Sequence, residues 1–202
     1  MRTAADPSLG RTPASARARL AGVALAAALA AAGPAQAGCD RHPQACADGD
    51  LVADLLGWAS RLSGLPPAPA GQAPSWAARP QAELARVVCG ERAADCRGLV
   101  AAYDTERRHI VYDAALDLRD PTDQSYLLHE LVHYLQHLLL GERLHESCEA
   151  VVASERAAYV VQNRYLERFK QWRRVGEAMR YAACPADHTA VEPQVHYQGA
   201  LR

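Results

Sequence analysis

The 202-residue chain contains no C-x-x-C pair, which removes the common cysteine-based zinc sites from consideration. It has no basic patch of the kind that marks a nucleic-acid binder, so nucleic acid is not an expected partner. No stretch repeats at a fixed period, which excludes solenoids and propellers. The one sustained apolar run, Leu20 to Ala32, falls short of the roughly 20 residues a membrane-spanning helix needs. Lysine is almost missing: 21 of the 22 basic residues are arginine, and alanine is abundant, the usage of a GC-rich bacterial coding sequence.

What stands at the start reads as an address. Arg2, Arg11, Arg17 and Arg19 precede the apolar run, and Pro34 and the small-residue site Ala35-Gln36-Ala37 follow it. That order predicts a secretory signal over residues 1–37, cleaved after Ala37, and a protein exported to the periplasm or beyond the cell. The remaining 165 residues, 38–202, suit one domain with a real core and hold 18 basic and 22 acidic residues. All six cysteines lie in that part, an even number in an exported chain, so disulfides are expected. Six cysteines allow 15 pairings, which the sequence alone does not resolve. Short loops favour Cys39–Cys46 and Cys89–Cys96, leaving Cys148–Cys184.

Local patterns predict the elements. Asp50 can cap a helix through Leu51, Leu55, Ala59 and Leu62, with Gly64 placed to end it. Residues 64–80 form a Pro-rich connector that can hold neither a helix nor a central strand, though Trp76 suggests an extended strap with some packing. Leu99–Tyr103 and His109–Tyr112 read as two strands of an antiparallel hairpin. Asp120-Pro121 is an N-cap followed by proline at the first helical position, opening a helix to Leu140 that Gly141 stops. A second long helix is expected from about Cys148 to about Arg173, and the tail after Cys184 shows no period.

From Leu127 the chain reads L-L-H-E-L-V-H-Y-L-Q-H. His129 and His133 lie one turn apart on one helix face, so both imidazoles can reach one ion. Glu130 is rotated off that line, where it suits a base rather than a ligand. The surrounding leucines would bury this helix, and burying two histidines and a glutamate without a task is costly. Neutral imidazole suits zinc, which in a hydrolase takes a third protein ligand and keeps one position open. His137 is about 12 Å along the axis from His129, too far to share the ion. The metzincin pattern, which needs a histidine ten positions after His129, fails because Leu139 stands there. Two carboxylates of the next helix remain, Glu149 and Glu155. Glu155 is preferred because its neighbours in S-E-R-A-A are small enough for close helix approach, whereas Glu149 suits a helix N-terminus.

His129-Glu130-Leu131-Val132-His133, followed 22 positions later by Glu155-Arg156-Ala157-Ala158-Tyr159, resembles a gluzincin-type zincin reduced to minimal size, over residues from about 96 to 167. The resemblance implies an α+β, helix-rich, disulfide-stapled domain with a small antiparallel hairpin packed on the H-E-x-x-H helix. It implies Zn²⁺ on His129, His133 and Glu155, with Glu130 as general acid/base in a metallopeptidase acting on a peptide or protein substrate. It further implies that the hairpin offers its edge to an extended peptide. In many gluzincins an Asp four residues after the ligand Glu orients the first histidine; here that position is Tyr159. Tyr159, His188 and His196 stay open as groups facing a developing oxyanion. The competing readings are a non-catalytic envelope module on the same scaffold and a disulfide-stapled helical domain without metal.

Overall fold

A computed structural model describes residues 43–96, 98–184 and 197–201. The signal sequence, Cys39 with its expected bridge to Cys46, His188 and His196 lie outside them. The described part is α+β. Helix α1 (Pro43–Ser63) begins seven residues before Asp50 and ends at Gly64, whose φ of 76° supplies the left-handed stop. Strand β1 (Ser75–Arg79), helix α2 (Gln81–Cys89) and a 3₁₀ turn (Gly90–Cys96) follow. Strands β2 (Leu99–Asp104) and β3 (His109–Asp113) form the expected hairpin, pairing Tyr103 with Ile110 and Ala102 with Val111. Helices α3 (Pro121–Leu140) and α4 (Cys148–Arg168) come next, and β4 (Tyr197–Leu201) closes the sheet in the order β1-β3-β2-β4.

Two sequence expectations change at the sheet. The hairpin has no free edge: β1 runs parallel to β3 on one side and β4 antiparallel to β2 on the other. Strand β1 lies inside the Pro-rich connector. Pro74 and Pro80 bracket it, and an edge strand tolerates such neighbours where a central one would not. Trp76 within it packs against Tyr112, ring centroids 5.8 Å apart.

Helix α3 is the axis of the molecule. The Asp120 carboxylate accepts from the Thr122 N–H at 2.6 Å, Pro121 occupies the first turn, and Gly141 at φ 58° ends the helix. Between those punctuation marks every residue from Ser125 to Gln136 is buried. An amphipathic surface helix would show polar residues every third or fourth position; here α1, α4 and the sheet enclose α3 all round. Leu127, Leu128, Leu131 and Leu135 are wholly buried, and each would cost about 2–5 kcal/mol to cut back to alanine. Tyr103 of β2 ties the sheet to this helix, its ring edge-on to Tyr134 and its hydroxyl 2.9 Å from His137 Nδ1.

Helix α4 is capped by Ser147, whose hydroxyl accepts from Ala150 N–H at 3.1 Å. It stops at Arg168, five residues before the expected end. The Lys170 N–H bonds to Glu167 O and the Gln171 N–H to Leu166 O, the paired bonds of a Schellman turn. Lys170 takes the left-handed position at φ 58°, where glycine is usual, so the sequence carries no glycine signal for this stop. Residues 169–184 then fold back along α4. Asn163 holds this strap through bonds to Val175 N and O, both 3.0 Å, and Arg156 donates to Met179 O and Ala182 O. The Cys148–Cys184 disulfide anchors its end, and Cys89–Cys96 clamps the turn after α2. No described helix is long and apolar enough to cross a membrane.

Candidate metal centre

The approach of α4 to α3 creates the site. Ser154 and Ala158 are small and buried on the α4 face, so Glu155 is brought against the two histidines. Glu155 Oε2 lies 3.2 Å from His129 Nε2, Glu155 Oε1 lies 3.3 Å from His133 Nε2, and the two Nε2 atoms are 3.1 Å apart. These three residues form a group able to hold a metal ion. The expected alternatives are elsewhere. Glu149 is exposed at the start of α4, and His137 is engaged with Tyr103. Glu130 is fully buried within the same turn of α3 as the histidines and is not a member of the group.

The protons of both imidazoles can be placed by following hydrogen bonds outward. His133 Nδ1 lies 2.8 Å from Gln136 Oε1, and Gln136 Nε2 donates to Ser154 O at 3.1 Å. A backbone carbonyl only accepts, so the amide nitrogen of Gln136 must face it and the amide oxygen must face His133. His129 Nδ1 lies 3.1 Å from Gln162 Oε1, and Gln162 Nε2 donates to Ser125 Oγ at 3.0 Å. Ser125 spends its own proton on Thr122 O at 2.6 Å, so it can only accept from Gln162. Both histidines therefore carry their proton on Nδ1, and both Nε2 lone pairs point at the Glu155 carboxylate. Three acceptors converge with no donor among them, an arrangement that a cation resolves.

The electrostatics agree. Burial, reinforced by nearby His133, holds His129 below its ordinary value despite the opposing Glu155 carboxylate, so the imidazole is neutral. Burial would raise the Glu155 carboxyl, but the charge and hydrogen bonds of His133 and His129 outweigh it and hold the group below the usual carboxylate range; that pull acts when an imidazole turns a proton towards Glu155, the place a bound cation would take. Neutral imidazoles and an ionised carboxylate are the protonation states a metal requires. The spacing fits too. A tetrahedral zinc with bonds of about 2.0–2.1 Å sets its ligand atoms about 3.3 Å apart.

Tyr159 stands where the gluzincin resemblance expects an orienting carboxylate. Its ring packs on that of His129 at a centroid distance of 4.4 Å, and Gln162, three residues on, supplies the acceptor instead. Sequence reasoning missed both glutamines. The available signal was their spacing: Gln136 follows His133 by three, and Gln162 follows Glu155 by seven, two turns along the same face. The strap covers Tyr159 from outside with Val175 and Gly176. Gly176 has φ 71°, and a Cβ there would overlap the Tyr159 ring, so both backbone and space call for glycine. Tyr159, Val175 and Gly176 also line a cavity of about 450 Å³ together with Arg156, Asn163 and Arg174.

Buried imidazoles, each oriented by its own acceptor and facing a carboxylate from the next helix, make a centre that could hold a metal ion. The chain belongs to the family described as domain of unknown function (DUF6647), whose profile matches residues 44–186 and so takes in the whole site. No curated protein matches the chain, and no solved structure does.

Proposed function

We propose that this protein is a zinc-dependent hydrolase, acting on peptide bonds, with zinc held by His129, His133 and Glu155. The convergence of the two histidine Nε2 atoms and the Glu155 carboxylate in a largely buried site supports the reading most strongly. Bound there, zinc would supply Lewis-acid polarisation of a carbonyl and acidify a water molecule. The chain's own residues would do the rest. Gln136 and Gln162 fix both imidazoles in the ligating tautomer, so binding needs no reorganisation. Glu130, beside His129 in sequence and fully buried, would take the proton of the attacking water and deliver it to the leaving nitrogen. The peptide substrate rests on the gluzincin resemblance, and export rests on the first 37 residues.

The test is the contrast between two variants. Glu130→Gln should retain one zinc per chain and lose about 10²–10⁴-fold in turnover of a peptide library. His129→Ala should lose metal and turnover together. Parent-level turnover by Glu130→Gln would rule out its assigned role.

One observation favours a second reading. His129, His133 and Glu130 are wholly buried, and Glu155 is only 13% exposed at its side chain, the closure of a structural metal site. In that reading the ion staples α3 to α4 on a non-catalytic scaffold. Chelation would then lower the unfolding temperature, no peptide would be cleaved, and Glu130→Gln would have no turnover to lose.

A further inference from the structure

The expectation of a chain without a basic patch fails at one place, which the near-balanced overall charge conceals. Between residues 164 and 174 stand Arg164, Arg168, Lys170, Arg173 and Arg174 against one acid, Glu167. All five basic side chains are exposed. Arg174 pairs with Glu167 at 3.1 Å and Arg164 donates to Leu62 O, while Arg168, Lys170 and Arg173 make no ion pair among the described residues. In their midst Trp172 is 91% exposed, and Phe169 beside it is 38% exposed. An indole so bare contributes nothing to the core.

The turn that presents Trp172 is built rather than loose. The Schellman bonds fix its backbone, and Gln171 accepts from Thr122 Oγ1 at 3.4 Å, which ties it to the first turn of α3. Phe169 is wedged against Trp58 and Tyr165, at 5.7 and 4.6 Å between ring centroids. Lys170 holds a left-handed conformation, at φ 58°, that costs a non-glycine residue free energy. A glycine would remove that cost and a cation with it. Arg164 and Arg174 also line the cavity of about 450 Å³, where Arg174 pairs with Glu167 and Arg180 with Glu177, so the cationic surface is confined to the turn.

We propose that this turn docks the protein on an anionic phospholipid surface, with Trp172 entering the headgroup layer and Arg168, Lys170 and Arg173 facing lipid phosphates. Tryptophan prefers the membrane–water boundary, and clustered Lys and Arg beside it are drawn to anionic headgroups. No described helix is long and apolar enough to cross a bilayer, and the attachment proposed is through this turn alone. The inference is independent of the metal centre.

Co-sedimentation with phosphatidylcholine vesicles, with and without phosphatidylglycerol, tests it. The protein should partition onto the phosphatidylglycerol vesicles only, and high salt should release it. Each cation at such a surface is worth about fivefold in partition, so Lys170→Gln with Arg173→Gln should weaken it about 25-fold. Trp172→Ala should weaken it several-fold even at low salt, and Trp172→Phe should restore part of the loss. These side chains are exposed, so circular dichroism and zinc content should match the parent. Failure of the parent to bind phosphatidylglycerol vesicles would overturn the proposal, as would binding insensitive to both variants. Release by dilute inorganic phosphate at constant ionic strength would also overturn it, by showing a free-anion site instead.

Discussion

Gln162→Leu probes how the centre is prepared for metal. The substitution keeps approximate size but removes the acceptor for His129 Nδ1 and the donor to Ser125 Oγ. In the metal-bound protein His129 must keep its proton on Nδ1, which then faces a leucine methyl. An unsatisfied buried donor costs about 1–3 kcal/mol. In the metal-free protein the imidazole escapes that penalty by moving its proton to Nε2, where the Glu155 carboxylate lies 3.2 Å away. The cost therefore falls mainly on the bound state, and zinc affinity should drop about 10–100-fold, or about 1.4–2.7 kcal/mol. Gln162→Glu keeps an acceptor at the same place and should stay much closer to the parent. Competition against a chelator of known affinity reads both variants, with metal-free thermal unfolding as the control. Unchanged affinity in Gln162→Leu would refute the assigned tautomers.

Further outcomes follow from the same geometry. Glu155→Ala should strip the metal, whereas Glu149→Ala and His137→Ala should retain it, as elemental analysis of each purified variant would show. Gly176→Ala forces a side chain into the Tyr159 ring at φ 71° and should cost more than 1 kcal/mol in denaturant unfolding, while a surface Gly49→Ala should not destabilise. In the metal-free protein, His129 lies below its ordinary 6.5 and Glu155 below its ordinary 4.5. As pH falls the unfolded chain takes up these protons first, so stability should decline from about pH 6.5 and further below about 4.5. Metal-free stability that rises on acidification to pH 5 would contradict this.

The parts of the fold announced by local chemistry were legible in the sequence. Asp120-Pro121 and Gly141 bound α3 where they should, and the polar residues 104–108 between two short apolar runs marked the hairpin. His129, His133 and Glu155 were legible because helix periodicity and small neighbours constrain which side chains can meet. The features missed depend on partners distant in the chain. Strand β1 exists because β3 offers it a ladder, although Pro74 and Pro80 argue locally against regular structure. Strand β4 likewise needs β2, and no period marks it. Helix α4 stops at a left-handed lysine, which no residue-type rule anticipates. The second helix's glutamine could not be assigned to His129 until the register of α4 against α3 was known. Closure of the site beneath Tyr159 and Gly176 was equally invisible, because a 16-residue strap of low periodicity supplies it.

The most direct measurement is the metal content of purified protein by inductively coupled plasma mass spectrometry, beside the His133→Ala variant. One zinc per parent chain and less than a tenth of that in the variant is the expected result, because the structure offers three ligands and the variant two. A parent chain without stoichiometric metal, or a variant that keeps it, would contradict the assignment of this centre.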